Sequence, residues 1–166
     1  MSNCFTQACA AALLAFALLT SSSAPGAAES VKPAVSASGV IATKSAYGLQ
    51  ETVDRLKKDI AAKGITFFQE IDQSALAAKA GIELKPSILL IFGNPPLGTQ
   101  FINGRPEAGI DWPVRLLVQE DAHGNVTAAY TDFAWIARRH RISDRQQQFA
   151  TATSVIESIT STIRKK

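Results

Sequence analysis

Residues 89–99 read LLIFGNPPLGT, and this stretch marks where a strand of the chain gives way to a helix. The apolar run 89–92 predicts a buried strand that ends at Phe92. A turn follows, and Gly98–Asn103 has room for one or two helical turns. We interpret the turn as a structural corner, which Asn94 caps, the two prolines stiffen, and Gly98 completes with a backbone angle that other residues avoid. The alternative is that this stretch forms the rigid rim of a ligand-binding cleft.

The stretch does not match the known phosphate-binding loops. Those loops cradle phosphate with converging backbone N–H groups and carry Lys-Ser or Lys-Thr after their last glycine. Here no such pair follows Gly98. Pro95 and Pro96 also remove two backbone donors. The sequence therefore does not predict a phosphate cradle.

The segments on both sides of this stretch have the pattern of an α+β domain. The predicted strands are Val40–Lys44, Ile65–Ile71, Pro86–Phe92, Val114–Gln119 and Val126–Tyr130. The predicted helices are Leu49–Lys63, Gln73–Ala80, a helix that Asp132 caps and that runs through Arg139, and a last one from Ser143 to about Ile163. A hairpin turn between the last two strands favours an antiparallel sheet of four or five strands with helices packed on one face, plus an extra C-terminal helix.

Two of these helices carry an apolar stripe. In the first helix, Leu49, Val53, Leu56 and Ile60 recur at helical spacing and predict a buried face. In the last helix the stripe is Phe149, Ile156, Ile159 and Ile163, and Ser143 with Gln146 has the spacing of a capping box. This second stripe needs a partner, either the rest of the domain or a second copy of the chain.

The first 28 residues have the composition of a secretory signal peptide. They contain no charged side chain, and their apolar stretch, Ala8–Leu19, is about 12 residues long where a membrane span needs ~20. Gly26 and Ala28 predict cleavage before Glu29; an uncleaved amphiphilic tail is the alternative. Both cysteines would leave with the leader. We therefore expect a periplasmic or secreted protein without disulfides and without an integral membrane span in the mature chain.

The remaining chain is expected to contain a linker (29–38), a single α+β domain (39–142) and the C-terminal amphipathic helix (143–166). The net charge is +3, and its excess lies near the C-terminus, where seven basic residues follow position 137 against Asp144 and Glu157. This pattern is typical of a solvated helix face, and binding to an anionic surface is the alternative. We do not expect a nucleic-acid partner.

Several short motifs recur here in the order of a known family. They are Thr52-Val53-Asp54-Arg55-Leu56, Lys63-Gly64-Ile65, Ala80–Pro86, Leu90–Pro95, Gly98-Thr99, Asp111-Trp112-Pro113, Tyr130-Thr131-Asp132 and Arg139-His140. Over roughly Gly39 to His140 the chain resembles the domain of unknown function 302 family. The resemblance implies a TATA-binding-protein-like α+β fold and often a dimer, and it implies neither DNA binding nor an assigned activity. The family usually has Asp-His where this chain has Asp72-Gln73, and Asn-Asp-Pro where it has Thr131-Asp132-Phe133.

Four polar residues are the candidates for a site. Asn94 and Thr99 have side chains that both donate and accept hydrogen bonds. Asp72 and Asp132 follow predicted strands, where they are also expected to cap helices. If their strand ends lie at one edge of the sheet, the four side chains would form a polar rim around an apolar floor.

The other residue types with functional chemistry form no recognisable set. His123 and His140 are isolated from acidic residues at metal-ligand spacing, so we expect neither a metal site nor a cofactor. Trp112, Tyr130 and Trp135 are interpreted as core residues. We infer an exported, non-enzymatic module that binds a small ligand or a partner chain, with a homodimer as one form of partner. The alternative is a small hydrolase- or isomerase-like enzyme acting through Asp72, Asn94, Thr99 and Asp132, although no catalytic residue can be assigned.

Overall fold

The computed structural model describes residues 35–164. The predicted leader, most of the predicted linker and the last two residues lie outside them. The strands are β1 (Val40–Lys44), β2 (Thr66–Asp72), β3 (Ser87–Gly93), β4 (Val114–Glu120) and β5 (Val126–Thr131). The helices are α1 (Leu49–Ala62), α2 (Gln73–Lys79), α3 (Pro95–Gly104), α4 (Phe133–Arg139) and α5 (Gln146–Ser161). A 3-10 helix that the sequence did not predict, Pro106–Ile110, precedes β4.

The five strands form one antiparallel sheet in the order β1-β5-β4-β3-β2, which confirms the predicted fold class. The register fixes which strand ends are neighbours. Gly93, the last residue of β3, pairs with Thr66 at the start of β2, whereas Asp72 at the end of β2 pairs with Ile88. The sheet therefore has two ends, named here the Gly93 end and the Asp72 end.

The core lies between one face of the sheet and the helices. Alternate residues of β3, namely Ile88, Leu90 and Phe92, are buried on this face. The predicted face of α1 is correct, since Val53, Leu56 and Ile60 have no exposed surface and Leu49 is partly buried.

Helix α5 belongs to the same core. Its buried residues are Phe149, Ala152, Ile156, Ile159 and Thr160, and Ile163 just beyond its end is buried too. The ring of Phe149 stacks on that of Phe101 in α3 at 4.2 Å between centroids. The sequence left open whether this stripe packs on its own domain or on a second copy of the chain. In the structure it packs on its own domain.

The opposite face of the sheet carries a row of apolar side chains. Paired residues across the five strands give the order Ile71, Leu89, Leu117, Ala129 and Ala42. The first four are partly buried and Ala42 is exposed. An antiparallel sheet that faces water usually presents polar residues there, so this row is an unusual surface.

The predicted capping box of the last helix is wrong. Helix α5 starts at Gln146, its N-cap position is Arg145, and no side chain caps it. Ser143 lies two residues too early to accept from the first turn. Spacing alone cannot place a cap, because the turn before the helix decides which residue takes the N-cap conformation.

Candidate functional site

The stretch LLIFGNPPLGT is a strand joined almost directly to a helix. Strand β3 ends at Gly93 and α3 begins at Pro95, three residues before the predicted start. Asn94 is the N-cap, and its Oδ1 accepts a hydrogen bond from the N–H of Leu97 at 3.2 Å. Prolines suit the first helical positions because an N–H there would lack a helical partner. The prolines therefore start a helix instead of stiffening a loop.

The predicted reason for glycine at position 98, an unusual backbone angle, is wrong. Gly98 lies inside α3 and is not among the residues with positive φ. A Cβ at this position would lie 1.8 Å from Nε1 of Trp112, and a Cβ at Gly93 would lie 3.1 Å from the same atom. Glycine is required at position 98 because the indole of Trp112 packs directly against the helix backbone.

The backbone donors at the start of α3 are engaged within the chain. The N–H groups of Leu97 and Gly98 both donate to the backbone oxygen of Asn94, at 3.1 and 2.8 Å. Pro95 and Pro96 have no N–H. The first turn of α3 therefore has its donors occupied or absent.

A surface groove lies between α5 and the start of α3. Its volume is about 650 Å³. The walls include Lys63 and Ile65 after α1, Asn94 and Leu97 at α3, and Ser154 and Val155 of α5. Small-molecule sites commonly have volumes of about 300–1,000 Å³, so the groove is of sufficient size for a small ligand.

A narrow crevice adjoins this groove. Its volume is about 40 Å³, and four of its lining residues, Ile65, Asn94, Leu97 and Val155, also line the groove. Its remaining lining consists of apolar and aromatic residues and two glycines, with Trp112 and Phe101 among them. Asn94 and Lys63 therefore lie beside an apolar crevice, and small-molecule sites commonly combine a few polar groups with an apolar lining.

The rim presents hydrogen-bond donors. Because Oδ1 of Asn94 accepts from Leu97, its amide nitrogen is left without a partner among residues 35–164. The ammonium of Lys63 pairs with Asp59 at 2.7 Å and retains further N–H donors. The hydroxyl of Thr151 donates to the backbone oxygen of Gln147 at 2.9 Å. An acceptor on a ligand would find partners at Asn94 and Lys63.

The structure does not bring all four predicted site residues together. Asp72 lies at the Asp72 end of the sheet, about 20 Å from Asn94 along a seven-residue strand. There it caps α2, accepting from the Ser74 hydroxyl at 2.6 Å and from the N–H of Ala75 at 2.8 Å. These two hydrogen bonds, that of Ser74 first, lower the pKa of Asp72. Because β2 and β3 are antiparallel, Asp72 and Asn94 cannot lie at the same rim within one chain.

The other two predicted site residues, Asp132 and Thr99, form hydrogen bonds with the backbone of a helix. Asp132 lies at the Gly93 end and is buried, and it caps α4 by accepting from the N–H groups of Ala134 and Trp135 at 3.2 and 3.1 Å. The hydroxyl of Thr99 donates to the backbone oxygen of Pro95 at 2.8 Å. Neither residue lines the groove or the crevice. Of the four predicted site residues, Asn94 is therefore the one that lines the groove and the crevice.

The structure contains a buried ionic cluster around Asp111 that was not predicted from the sequence. Asp111, whose side chain is 7% exposed, accepts from Arg139 at 3.0 Å through both oxygens and contacts Nε2 of His140 at 2.6 Å. His140 is thus not isolated from acidic groups. The residues are separated by 28 and 29 positions, so spacing could not reveal the pair. The cluster ties the end of α4 to the segment before β4. Within residues 35–164, no group of three or more His, Cys, Asp or Glu side chains is placed to hold a metal ion.

The fold and the groove define a small α+β domain, and comparison identifies its family. The family model described as "Domain of unknown function DUF302" matches residues 41–164, and the chain belongs to this family. The match includes α5, beyond the motifs recognised in the sequence. A solved structure, an uncharacterized conserved DUF302 protein from Bacillus stearothermophilus, has a similar fold with a TM-score of 0.70. It is 16% identical and covers 77% of this chain and 100% of its own, which shows the fold alone.

Curated relatives extend well beyond this domain. The chain is 36% identical over 105 residues to the protein named fluoride-specific ion channel FluC 1 of Brucella suis and to that of Brucella abortus. The match covers 63% of this chain, and it spans 41% and 39% of the length of those relatives. Within residues 35–164 of this chain, no helix has the length and apolar character that crossing a membrane requires.

Proposed function

We propose that the protein is an exported, non-enzymatic binding module whose binding site is the groove between α3 and α5. The observation that carries this proposal is the shape of the site. A groove of about 650 Å³ adjoins an apolar crevice, and Asn94 lines both, with an amide nitrogen that has no partner among residues 35–164. Sites of this form bind small molecules by burying an apolar part and orienting a polar part.

The enzymatic alternative has weaker support. A constellation of Asp72, Asn94, Thr99 and Asp132 would require these side chains to converge on one substrate. Asp72 lies at the other end of the sheet, while Asp132 and Thr99 use their polar atoms within α4 and α3. The groove therefore suits binding better than acid–base or nucleophilic catalysis by these residues.

Export is the second part of the proposal. The uncharged leader and the small residues at positions 26 and 28 support cleavage before Glu29. We expect the protein recovered from the periplasm to have the intact mass of residues 29–166. A full-length product retained in the cytosol would contradict this part of the proposal and leave the groove untouched.

Native mass spectrometry of the protein purified from its own periplasm tests the binding site. We expect a retained small molecule in addition to the mass of the chain. Ser154 is exposed in the groove wall, so Ser154→Trp should fill the groove and abolish retention. Ala78→Trp, at an exposed position of α2 away from the groove, is the matched control and should retain the ligand. Retention by both variants would contradict the assignment of the site.

A second candidate function comes from the Brucella relatives. In those proteins about 40% of a chain named as a fluoride-specific channel resembles this domain. Domains joined in one protein often act together when they occur separately, so this chain is also proposed as an accessory partner of a membrane channel. Deletion of its gene should then lower tolerance to external fluoride, and the protein should cross-link to the fluoride channel of the same cell. Unchanged tolerance together with no cross-link would rule this role out.

A further inference from the structure

We infer that the ligand of the groove is a small amphiphile with a slender apolar tail and a hydrogen-bond-accepting head, such as a short unbranched carboxylic acid. This inference rests on the proposed function and specifies its ligand class. The tail would pass between Leu97 and Val155 into the crevice beside Trp112. The head would remain in the groove near Asn94 and Lys63.

The size and lining of the crevice determine the tail. The crevice is about 40 Å³ in volume, and its lining includes the apolar side chains of Leu97, Val155 and Trp112. Apolar cavities of this kind stay dry and accept apolar groups. The small volume excludes a ring system or a branched chain and accepts only the end of an unbranched chain, whose remaining carbons would lie in the groove. Leu97 and Val155 are only partly buried and form the shared border of crevice and groove.

The donors at the rim determine the head. The N-cap bond to Leu97 fixes the orientation of the Asn94 side chain, so its NH₂ group is the part left to bind a ligand. Lys63 is near this amide because Thr66, three residues later, pairs with Gly93, which precedes Asn94. Its ammonium is paired with the Asp59 carboxylate at 2.7 Å, which compensates its charge, and it contributes its remaining N–H donors. Because the amide NH₂ and the remaining N–H groups of Lys63 are all donors, they favour an accepting head such as a carboxylate over a donating head such as an ammonium.

Calorimetric titration of the full chain with unbranched carboxylates from acetate to octanoate tests the tail. We expect the association constant to rise about fourfold for each added methylene until the crevice is filled, since each buried CH₂ contributes about that factor. Hexylamine, which has a tail like that of hexanoate and a donor-only head, should bind at least tenfold more weakly. An association constant that is the same for acetate and hexanoate would overturn the inference about the tail.

Fluorescence locates the tail. Of the two tryptophans, Trp112 lines the crevice and Trp135 does not. In a Trp135→Phe variant, hexanoate should shift the emission of Trp112 with the same midpoint as the calorimetric titration. An unchanged emission at saturating hexanoate would show that the tail does not reach Trp112.

A pair of matched variants tests the head. Asn94→Asp keeps a good N-cap for α3, removes the NH₂ donors and adds a negative charge, so it should weaken hexanoate binding at least tenfold. Asp72→Asn makes the reverse exchange at the N-cap of α2, at the other end of the sheet, and should leave binding unchanged. Equal binding by the two variants would overturn the role of Asn94.

Failure of this inference and failure of the proposed function can be distinguished. If the purified protein retains a native ligand that Ser154→Trp expels, but hexanoate does not bind, the function stands and the ligand class is wrong. If hexanoate binds equally well to Ser154→Trp, it binds outside the groove and the inferred ligand class is wrong, whereas the proposed function fails only if Ser154→Trp retains the native ligand.

Discussion

At Gly98 the absence of a side chain is what allows Trp112 to pack against α3. In Gly98→Ala the new Cβ would overlap the indole, which has to move. Overpacking of this kind costs about 1–3 kcal/mol, more than the ~0.5–1 kcal/mol that alanine gains over glycine in a helix. We therefore expect a lower free energy of unfolding and a changed Trp112 emission in urea titrations.

Gly104→Ala in the same helix is the control for this substitution. Among residues 35–164, its Cβ would meet only Ile142, at an ordinary contact distance of 3.7 Å. This variant should be neutral or slightly stabilising. If both variants had the same stability, steric contact with Trp112 would not be the reason for glycine at position 98.

The cap of α2 gives a prediction about ionisation. The hydroxyl of Ser74 is the largest cause of the lowered pKa of Asp72. Ser74→Ala should therefore move the pKa of Asp72 up towards its ordinary value, as measured by NMR titration of the carboxyl carbon. The pKa of Asp121, lowered chiefly by Asn125, serves as the internal reference and should not change. An unaltered pKa of Asp72 would show that the remaining backbone bonds are sufficient.

At the scale of elements, the buried stripe of α1 is the clearest link between sequence and stability. Leu56 has no exposed surface, so Leu56→Ala should lower the free energy of unfolding by ~2–5 kcal/mol. Leu76→Ala is the matched control, since Leu76 in α2 is 55% exposed. This variant should change the free energy of unfolding by only about 0.5 kcal/mol. A loss below that scale for Leu56→Ala would mean that the core is packed differently.

Elements with a repeating apolar pattern were predictable, and those fixed by distant contacts were not. The face of α1 follows from local periodicity, and strand β1 follows from a short, partly β-branched stretch. The start of α3 was misplaced because Pro95 and Pro96 suggest a turn until Asn94 is recognised as a cap. The 3-10 helix has no periodic signal in five residues. The reason for Gly98 lies in Trp112, fourteen positions along the chain, and no local rule could supply it.

The candidate site shows the same limit. The sequence offers Asn94 as a candidate site residue, which the structure places in the groove wall, and it predicts the capping roles of Asp72 and Asp132 correctly. It could not tell that Asp72 lies at the other end of the sheet, because this depends on strand pairing. The contribution of α5 to the groove was not predicted either, because Ser154 belongs to no recognisable sequence motif. The pairing of Asp111 with His140 was hidden by sequence distance.

At the scale of the whole molecule, the apolar row on the second face of the sheet bears on the homodimer. Five strands of this length cover roughly 500 Å² in projection, of the order of the ~800 Å² of accessible area per partner in standard interfaces. If a second copy covers this face, Leu117→Lys should give a monomer by analytical ultracentrifugation, because it places a charge at the centre of the row. A dimer that survives this substitution would use another surface.

The central claim is that the groove between α3 and α5 binds the ligand. The most direct measurement is amide chemical-shift mapping of the ligand-free full chain as the molecule recovered from the native protein is added back. The account predicts that the shifts concentrate at Ile65, Asn94, Leu97 and along α5 around Ser154. Shifts centred instead on the Asp72 end, or on the apolar row of the sheet, would contradict it.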